Sequence, residues 1–149
     1  VTIDVTANGK KYAELHVDGS VTNQVFAYPP QLTTAEIDKH LGYRPKRTLY
    51  IIRNAHVSPE YQVTDSGVLP IAVRSIDTLL KSYGVGDLYR LYAIARRDRL
   101  DYNLTYIPNG FQEVPNELFD PAYMKKLFDL GFEMGLNGIT WEKQPPGLD

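Results

Sequence analysis

The first residues able to do chemistry are His16-Val17-Asp18-Gly19-Ser20, which set an imidazole, a carboxylate and a hydroxyl at alternate positions. Alternate residues share one face of an extended strand, so the order suggests a linear triad for acyl transfer. The spacing argues against it. Side chains two apart on a strand stand about 6.5 Å or more from each other, whereas proton transfer needs ~2.6–3.2 Å. His16 therefore reads as a strand residue with a satisfied ring, and Asp18, at a strand end before glycine, reads on spacing alone as a turn former.

Other constellations are weaker. His40 and His56 are separated from any carboxylate cluster at metal-ligand spacing, and neither H-E-x-x-H nor a calcium-loop pattern occurs. Gly84-Val85-Gly86 is too short for a dinucleotide or phosphate loop and follows no strand. Asp18, Asp65 and Asp101 have no sequence reason to meet, and the tyrosines do not interleave with a basic patch. The absence of cysteine excludes disulfides, thiolate catalysis and cysteine-based zinc sites without identifying a compartment. No cofactor is expected. A net charge of −2 leaves no electrostatic footprint for nucleic acid. Arg44-Pro45-Lys46-Arg47 and Arg96-Arg97-Asp98-Arg99 read as solvated element ends.

The elements that would position these residues follow from hydrophobic period and turn chemistry. Val1, Ile3 and Val5 alternate with polar residues as in a half-buried strand, and Asn8-Gly9 signals a hairpin. A second strand runs over 10–17 and stops at the turn-like Asp18-Gly19-Ser20. A short strand is expected over 24–28, ending at Pro29-Pro30. Thr33-Thr34-Ala35-Glu36 has the form of a capping box opening a helix that ends near Leu41-Gly42. The run 47–53 is continuously β-rich and suits a strand buried on both faces.

Leu69, Val73, Ile76, Leu80 and Tyr83 form a helical stripe. Gly84-Val85-Gly86-Asp87 is expected to interrupt it, with Asp87 capping a second helix that continues to about Arg97. One more strand covers 101–107. Asp120-Pro121 opens a last helix by the cap-then-proline rule, and Gln144-Pro145-Pro146-Gly147 cannot extend it. No stretch approaches the ~20 apolar residues of a membrane-spanning helix, and no repeat or linker divides the chain. The amino terminus lacks the pattern of a signal peptide and opens on a strand, as a fragment or a processed mature form would. One α/β unit is expected.

Glu14-Leu15-His16-Val17-Asp18-Gly19-Ser20, followed by Gln24-Val25-Phe26-Ala27-Tyr28-Pro29, resembles the aspartate motif of bacterial patatin-like phospholipases. In that family a strand ends in Asp-Gly-Gly or Asp-Gly-Ala before a short valine–phenylalanine strand and a proline. The resemblance continues through Thr48-Leu49-Tyr50-Ile51-Ile52-Arg53-Asn54 and Gly86-Asp87-Leu88-Tyr89-Arg90. It then takes in Asp101-Tyr102-Asn103-Leu104-Thr105-Tyr106-Ile107-Pro108, Phe119-Asp120-Pro121-Ala122-Tyr123-Met124 and the tail 141–147, so it covers nearly the whole chain.

The resemblance implies the carboxy-terminal portion of a three-layer α/β/α fold and a serine–aspartate dyad that acts without histidine. The aspartate maps onto Asp18, flanked by Gly19 and Ser20. The serine does not map: Ser20, Ser58, Ser66, Ser75 and Ser82 all lack the glycines of Gly-x-Ser-x-Gly, and no glycine-rich oxyanion loop is present. Ser20 stands where the family has glycine or alanine; a positive φ there would cost serine roughly 1 kcal/mol.

The expected role is thus the dyad aspartate of a lipid acyl hydrolase that is inactive without its serine half, with a lipid or ester as substrate of the complete enzyme. The expected partner is an amino-terminal serine-bearing fragment or a second copy of the chain. The alternative is a non-catalytic interaction or scaffold module derived from the same fold.

Overall fold

The computed structural model describes the chain apart from residues 17, 19–23, 26, 60–62, 118 and 149. It is a mixed α/β protein, with elements in the order β1 (Thr2–Ala7), β2 (Lys10–Leu15), α1 (Thr34–Leu41), β3 (Thr48–Arg53), α2 (Val68–Asp98), β4 (Asp101–Tyr106) and α3 (Pro121–Asn137). Its contacts form two compact units. One comprises Val1–Gln31 with Thr64–Leu91, the other Leu32–Val63 with Tyr92–Asp149. The sequence carries no linker between them, because the chain passes from one to the other within α2 and within connecting loops.

In the first unit β1 and β2 make an antiparallel hairpin, with Thr2 opposite Leu15 and Ala7 opposite Lys10. Asn8 and Gly9 both take positive φ, at 52° and 73°, which matches the strand twist and favours this residue pair. The alternation of the sequence suggested one buried face. Neither face is buried: Ile3 and Leu15 are exposed and Val5 alone is half-buried. The expected strand over 24–28 is also replaced, since Gln24, Val25, Ala27 and Tyr28 lie in bends, while Phe26 falls outside the described residues.

α2 runs unbroken for 31 residues through Gly84-Val85-Gly86-Asp87, where an interruption was expected. Each glycine costs a helix about 1 kcal/mol relative to alanine. Long-range bonds made by Asp87 offset that cost, and Leu88 and Leu91 directly follow with almost no exposure. Asp87 is therefore a mid-helix residue and caps nothing. The helix ends at Arg99, in the left-handed region at φ 57°, with the Leu100 N–H returning to the Ala95 carbonyl at 2.8 Å.

The second unit is built on β3 and β4, which pair in parallel from Thr48–Asp101 to Arg53–Tyr106. A parallel pair needs a long crossover, and the segment containing α2 provides it. The strand buried on both faces is β4: Tyr102, Asn103, Leu104 and Thr105 are all buried. β3 was expected to hold that place, yet it exposes Tyr50 and Ile52 while burying Ile51 and Arg53. The reason is position. β4 has β3 on one edge and Glu142 on the other, where Leu104 and Glu142 exchange two 2.9 Å backbone bonds, whereas among the described residues β3 pairs with β4 alone. The Trp141 ring meets Tyr50 edge-on at 4.9 Å between centroids.

α1 begins as its sequence indicates, with the Glu36 carboxylate accepting the Thr33 N–H at 3.3 Å, and it ends on Gly42 at φ 72°. α3 starts at Pro121 behind Asp120, whose Oδ1 accepts the N–H groups of Ala122 and Tyr123 at 2.9 and 3.2 Å. Its Oδ2 takes the backbone and side-chain N–H groups of Asn116 at 3.0 and 3.1 Å. α3 is apolar on two sides: Tyr123, Leu127, Leu130 and Met134 are half-buried, while Met124, Phe128, Phe132 and Leu136, each four residues from the next, are exposed. The rings of Phe128 and Phe132 stack on that exposed side.

The bonds to Asp120, led by the Asn116 and Tyr123 backbone N–H groups, hold its carboxyl below the ordinary range. A carboxyl with a depressed folded-state pKa stabilises fully above its unfolded value near ~3.9 and loses that contribution as pH falls through the lower folded value. Acidification below about pH 4 should thus fray the first turn of α3. Amide exchange at Ala122 and Tyr123 measures it, with Asp120→Ala frayed already at neutral pH and Asp120→Asn, which keeps an acceptor, closer to the parent.

Candidate functional site

Asp18 follows the end of β2 by three residues and is exposed. Its motif neighbours Gly19 and Ser20, and with them the third member of the His16–Asp18–Ser20 series, lie outside the described residues. His16 is accounted for without chemistry. Its Nε2 stands 3.4 Å from a Glu14 carboxylate oxygen on the same strand face, and its backbone exchanges two bonds with Val1, the N–H reaching the Val1 carbonyl at 2.7 Å and the carbonyl accepting the amino terminus at 2.9 Å. That closes the open end of the hairpin, so the backbone is fixed two residues before Asp18.

The backbone is fixed again beyond Asp18, at Gln24 and Val25. Both N–H groups donate to Asp87 Oδ2, at 2.8 and 3.1 Å. Oδ1 of Asp87 faces Arg90 Nη2 at 3.1 Å, and that nitrogen also donates to the Val25 carbonyl at 3.3 Å. The Gln24 side chain adds a bond from Nε2 to the Leu80 carbonyl at 2.8 Å. Asp87 is 4% exposed. A carboxylate so buried is very costly unless its oxygens are satisfied, and here three donors meet them.

Sequence reasoning gave Asp87 a helix-capping role and so missed this site. The signal was there: Asp87 lies seven residues after Leu80 and four before Leu91, in line with the apolar stripe of the helix. A charged residue in such a position requires a partner, and Arg90 three residues on is within reach.

The remaining candidates are structural. His40 Nδ1 lies 2.9 Å from the Glu36 carbonyl and His56 Nδ1 3.1 Å from the Ile107 carbonyl. Arg47 pairs with Asp38 at 2.6 Å, while Arg97 pairs with Asp98 and donates to the Leu32 carbonyl, both at 2.8 Å, so both short basic runs are tied into their own surroundings. Asp101 binds Lys143 at 2.9 Å, and the bonds to Lys143 and Asn103 keep its carboxyl below the usual range. Among the described residues no three potential metal ligands gather, and no helix is long and apolar enough to cross a membrane.

The second unit has an open cleft of about 480 Å³ at the carboxyl end of β4, with Thr105, Tyr106, Glu133, Asn137, Thr140 and Glu142 among its walls. These groups offer hydrogen-bond donors and acceptors to the cleft. Compared with models of known protein families, with curated proteins and with solved structures, the chain matches none.

Proposed function

We propose that the chain is the carboxy-terminal, aspartate-bearing part of a patatin-like lipid acyl hydrolase, in which Asp18 is the general base for a serine outside these 149 residues. The observation that carries the reading is Asp18 itself. It is an exposed aspartate three residues past a strand end, within the motif whose form suggested the role.

The contacts between the motifs also support it. Gln24 and Val25 of the first series meet Asp87 and Arg90 of another, and Thr48–Arg53 pairs in register with Asp101–Tyr106. The tail contributes Glu142 to the far edge of β4. Segments that carry the resemblance are thus in contact within each unit.

In this reading the serine attacks the ester carbonyl while Asp18 accepts its proton. The acyl-enzyme forms as the protonated Asp18 returns that proton to the departing alcohol, and water activated by the same carboxylate releases the acid. The oxyanion is held by amides of the serine-bearing part.

The apolar surface left open in each unit fits the same account. Val68, Leu69, Val73 and Leu79 of α2 in the first unit, and Ile52, Phe128 and Leu136 in the second, are all exposed. Surfaces of this kind mark contact with another polypeptide. In the complete enzyme that polypeptide is the serine-bearing part. The purified chain alone is expected to self-associate or to retain such a companion, and native mass spectrometry with light scattering reads this directly; a well-folded monomer at micromolar concentration would remove the structural need for the missing half.

In the complete enzyme, Asp18→Asn should leave the fold intact and lower kcat by about 10²–10⁴-fold, since an amide cannot take the serine proton. The 149-residue chain by itself should neither turn over aryl esters nor accept a serine-directed fluorophosphonate. A folded Asp18→Asn enzyme within about tenfold of the parent would defeat the assignment and leave the scaffold reading in its place.

A further inference from the structure

Three asparagines in the chain precede glycine: Asn8-Gly9, Asn109-Gly110 and Asn137-Gly138. Such a pair can close on itself, because glycine has no side chain to keep its amide nitrogen from the asparagine side-chain carbonyl. The nitrogen attacks Cγ, the Cγ–Nδ2 bond breaks, and ammonia leaves with the glycine amide proton. Water then opens the cyclic imide at either carbonyl, giving aspartate or isoaspartate. The attack needs an uncommitted glycine N–H, freedom of the asparagine backbone to rotate, and support for negative charge on the side-chain oxygen. Local structure therefore decides which pair reacts.

The three pairs differ in these respects. Asn8 sits in the hairpin turn, where the pairing of Ala7 with Lys10 holds the backbone on both sides. Asn137 closes α3, and its side-chain amide donates to the Glu133 carboxylate at 3.4 Å, a negative charge that opposes more of the same sign. Asn109 and Gly110 are exposed and form the middle of a turn closed by one bond, from the Phe111 N–H to the Pro108 carbonyl at 3.0 Å. Among the described residues no group accepts the Gly110 N–H. Asn109 Oδ1 accepts the Ser58 hydroxyl at 2.8 Å. The two segments are kept side by side by the Ile107 N–H on the Ala55 carbonyl at 3.4 Å and by His56 Nδ1 against the Ile107 carbonyl at 3.1 Å. A donor on the oxygen where negative charge develops favours the attack.

We propose that Asn109 is a self-modification site, where the Gly110 nitrogen displaces the side-chain amide while the Ser58 hydroxyl supports the developing oxyanion. Water is the other reactant, and ammonia is released. The product changes the second unit. Asn109 belongs to the wall of the open cleft at the carboxyl end of β4, together with Glu133 and Glu142, so a carboxylate in its place makes that wall more acidic. Isoaspartate also adds a carbon to the main chain and separates Phe111 from Pro108. The inference is independent of the role of Asp18.

The test incubates the full chain, with any companion it retains, at mildly alkaline pH, folded and in denaturant. Peptide mass mapping with isoaspartate detection follows each pair. In the folded chain Asn109 should react first, with Asn8 and Asn137 slower by about tenfold or more; in denaturant the three should react alike. Ser58→Ala should slow Asn109 by about two- to tenfold in the folded chain, the worth of one neutral hydrogen bond, and leave the rate in denaturant unchanged. Ser58→Thr keeps the hydroxyl and should keep the rate. A Cβ at Gly110 meets nothing within 4 Å and its φ lies outside the left-handed region, so Gly110→Ala should preserve the turn and slow the reaction in both states. A folded chain that modifies Asn8 or Asn137 as fast as Asn109 overturns the site, and a Ser58→Ala chain that matches the parent overturns the role of the hydroxyl. If Ser58→Ala loses the fold, visible as equal rates at all three pairs, the order of the pairs in the parent and the rate of Ser58→Thr decide.

Discussion

Asp87 is a buried acid in the interior of a 31-residue helix, and much of the first unit follows from how it is satisfied. Left unpaired, the carboxylate would cost more than the surrounding apolar contacts return. Its two oxygens therefore need donors from outside the helix as well as from Arg90, and Gln24 and Val25 supply them with their backbones. The same requirement explains why the helix survives two glycines within three residues, and why 24–25 lie in bends where a strand would be the simpler outcome. A strand would send their N–H groups to a neighbouring strand; here they go to a carboxylate.

The second unit depends on a different constraint, the completion of β4. A parallel strand covered on both faces must have both edges bonded as well, and β4 obtains this from β3 and from the bridge to Glu142. The core around it is small, with Leu104, Tyr102, Ile51, Ile94, Ala95, Ile107 and Pro145 as its buried apolar members among the described residues. The Tyr102 hydroxyl lies so deep that burial, with the nearby Tyr92 second, raises its pKa well above the ordinary phenol value. β3 remains half-covered. Asp120 and Thr33–Glu36 set where α3 and α1 begin, but the exposed stripe of α3 shows that local capping and tertiary cover are separate requirements, and that only the first is met within the described residues.

What could be read from the residues was what local chemistry determines. Asn8-Gly9, the Thr33–Glu36 box, Gly42 and Asp120-Pro121 fix their turns and helix ends by dihedral preference and short-range bonds, and each stands where the sequence placed it. The strands at 48–53 and 101–106 were legible from β-rich composition. Their relative burial was not, because which strand becomes central depends on a partner 38 residues further along, Glu142, that no window around Leu104 contains. The unbroken α2 was missed for a related reason: glycine propensity is local, whereas the bonds that offset it reach back to Gln24. For the site, the position of Asp18 past a strand end was legible, and the contacts of Asp87 and Arg90 with Gln24 and Val25 were not. Gly19 and Ser20 fall outside the described residues, so the structure bears on the motif through its two flanks.

The proposed function requires that Asp18 meet a serine carried by another part of the enzyme. Geometry tests it most directly. A crystal structure of the complete enzyme, with the serine identified by a bound fluorophosphonate and then examined unlabelled, gives the separation between its hydroxyl and the Asp18 carboxylate. A separation of about 2.6–3.2 Å, with no histidine between them, is expected. A serine served by a different base, with Asp18 remote from the labelled residue, would contradict it.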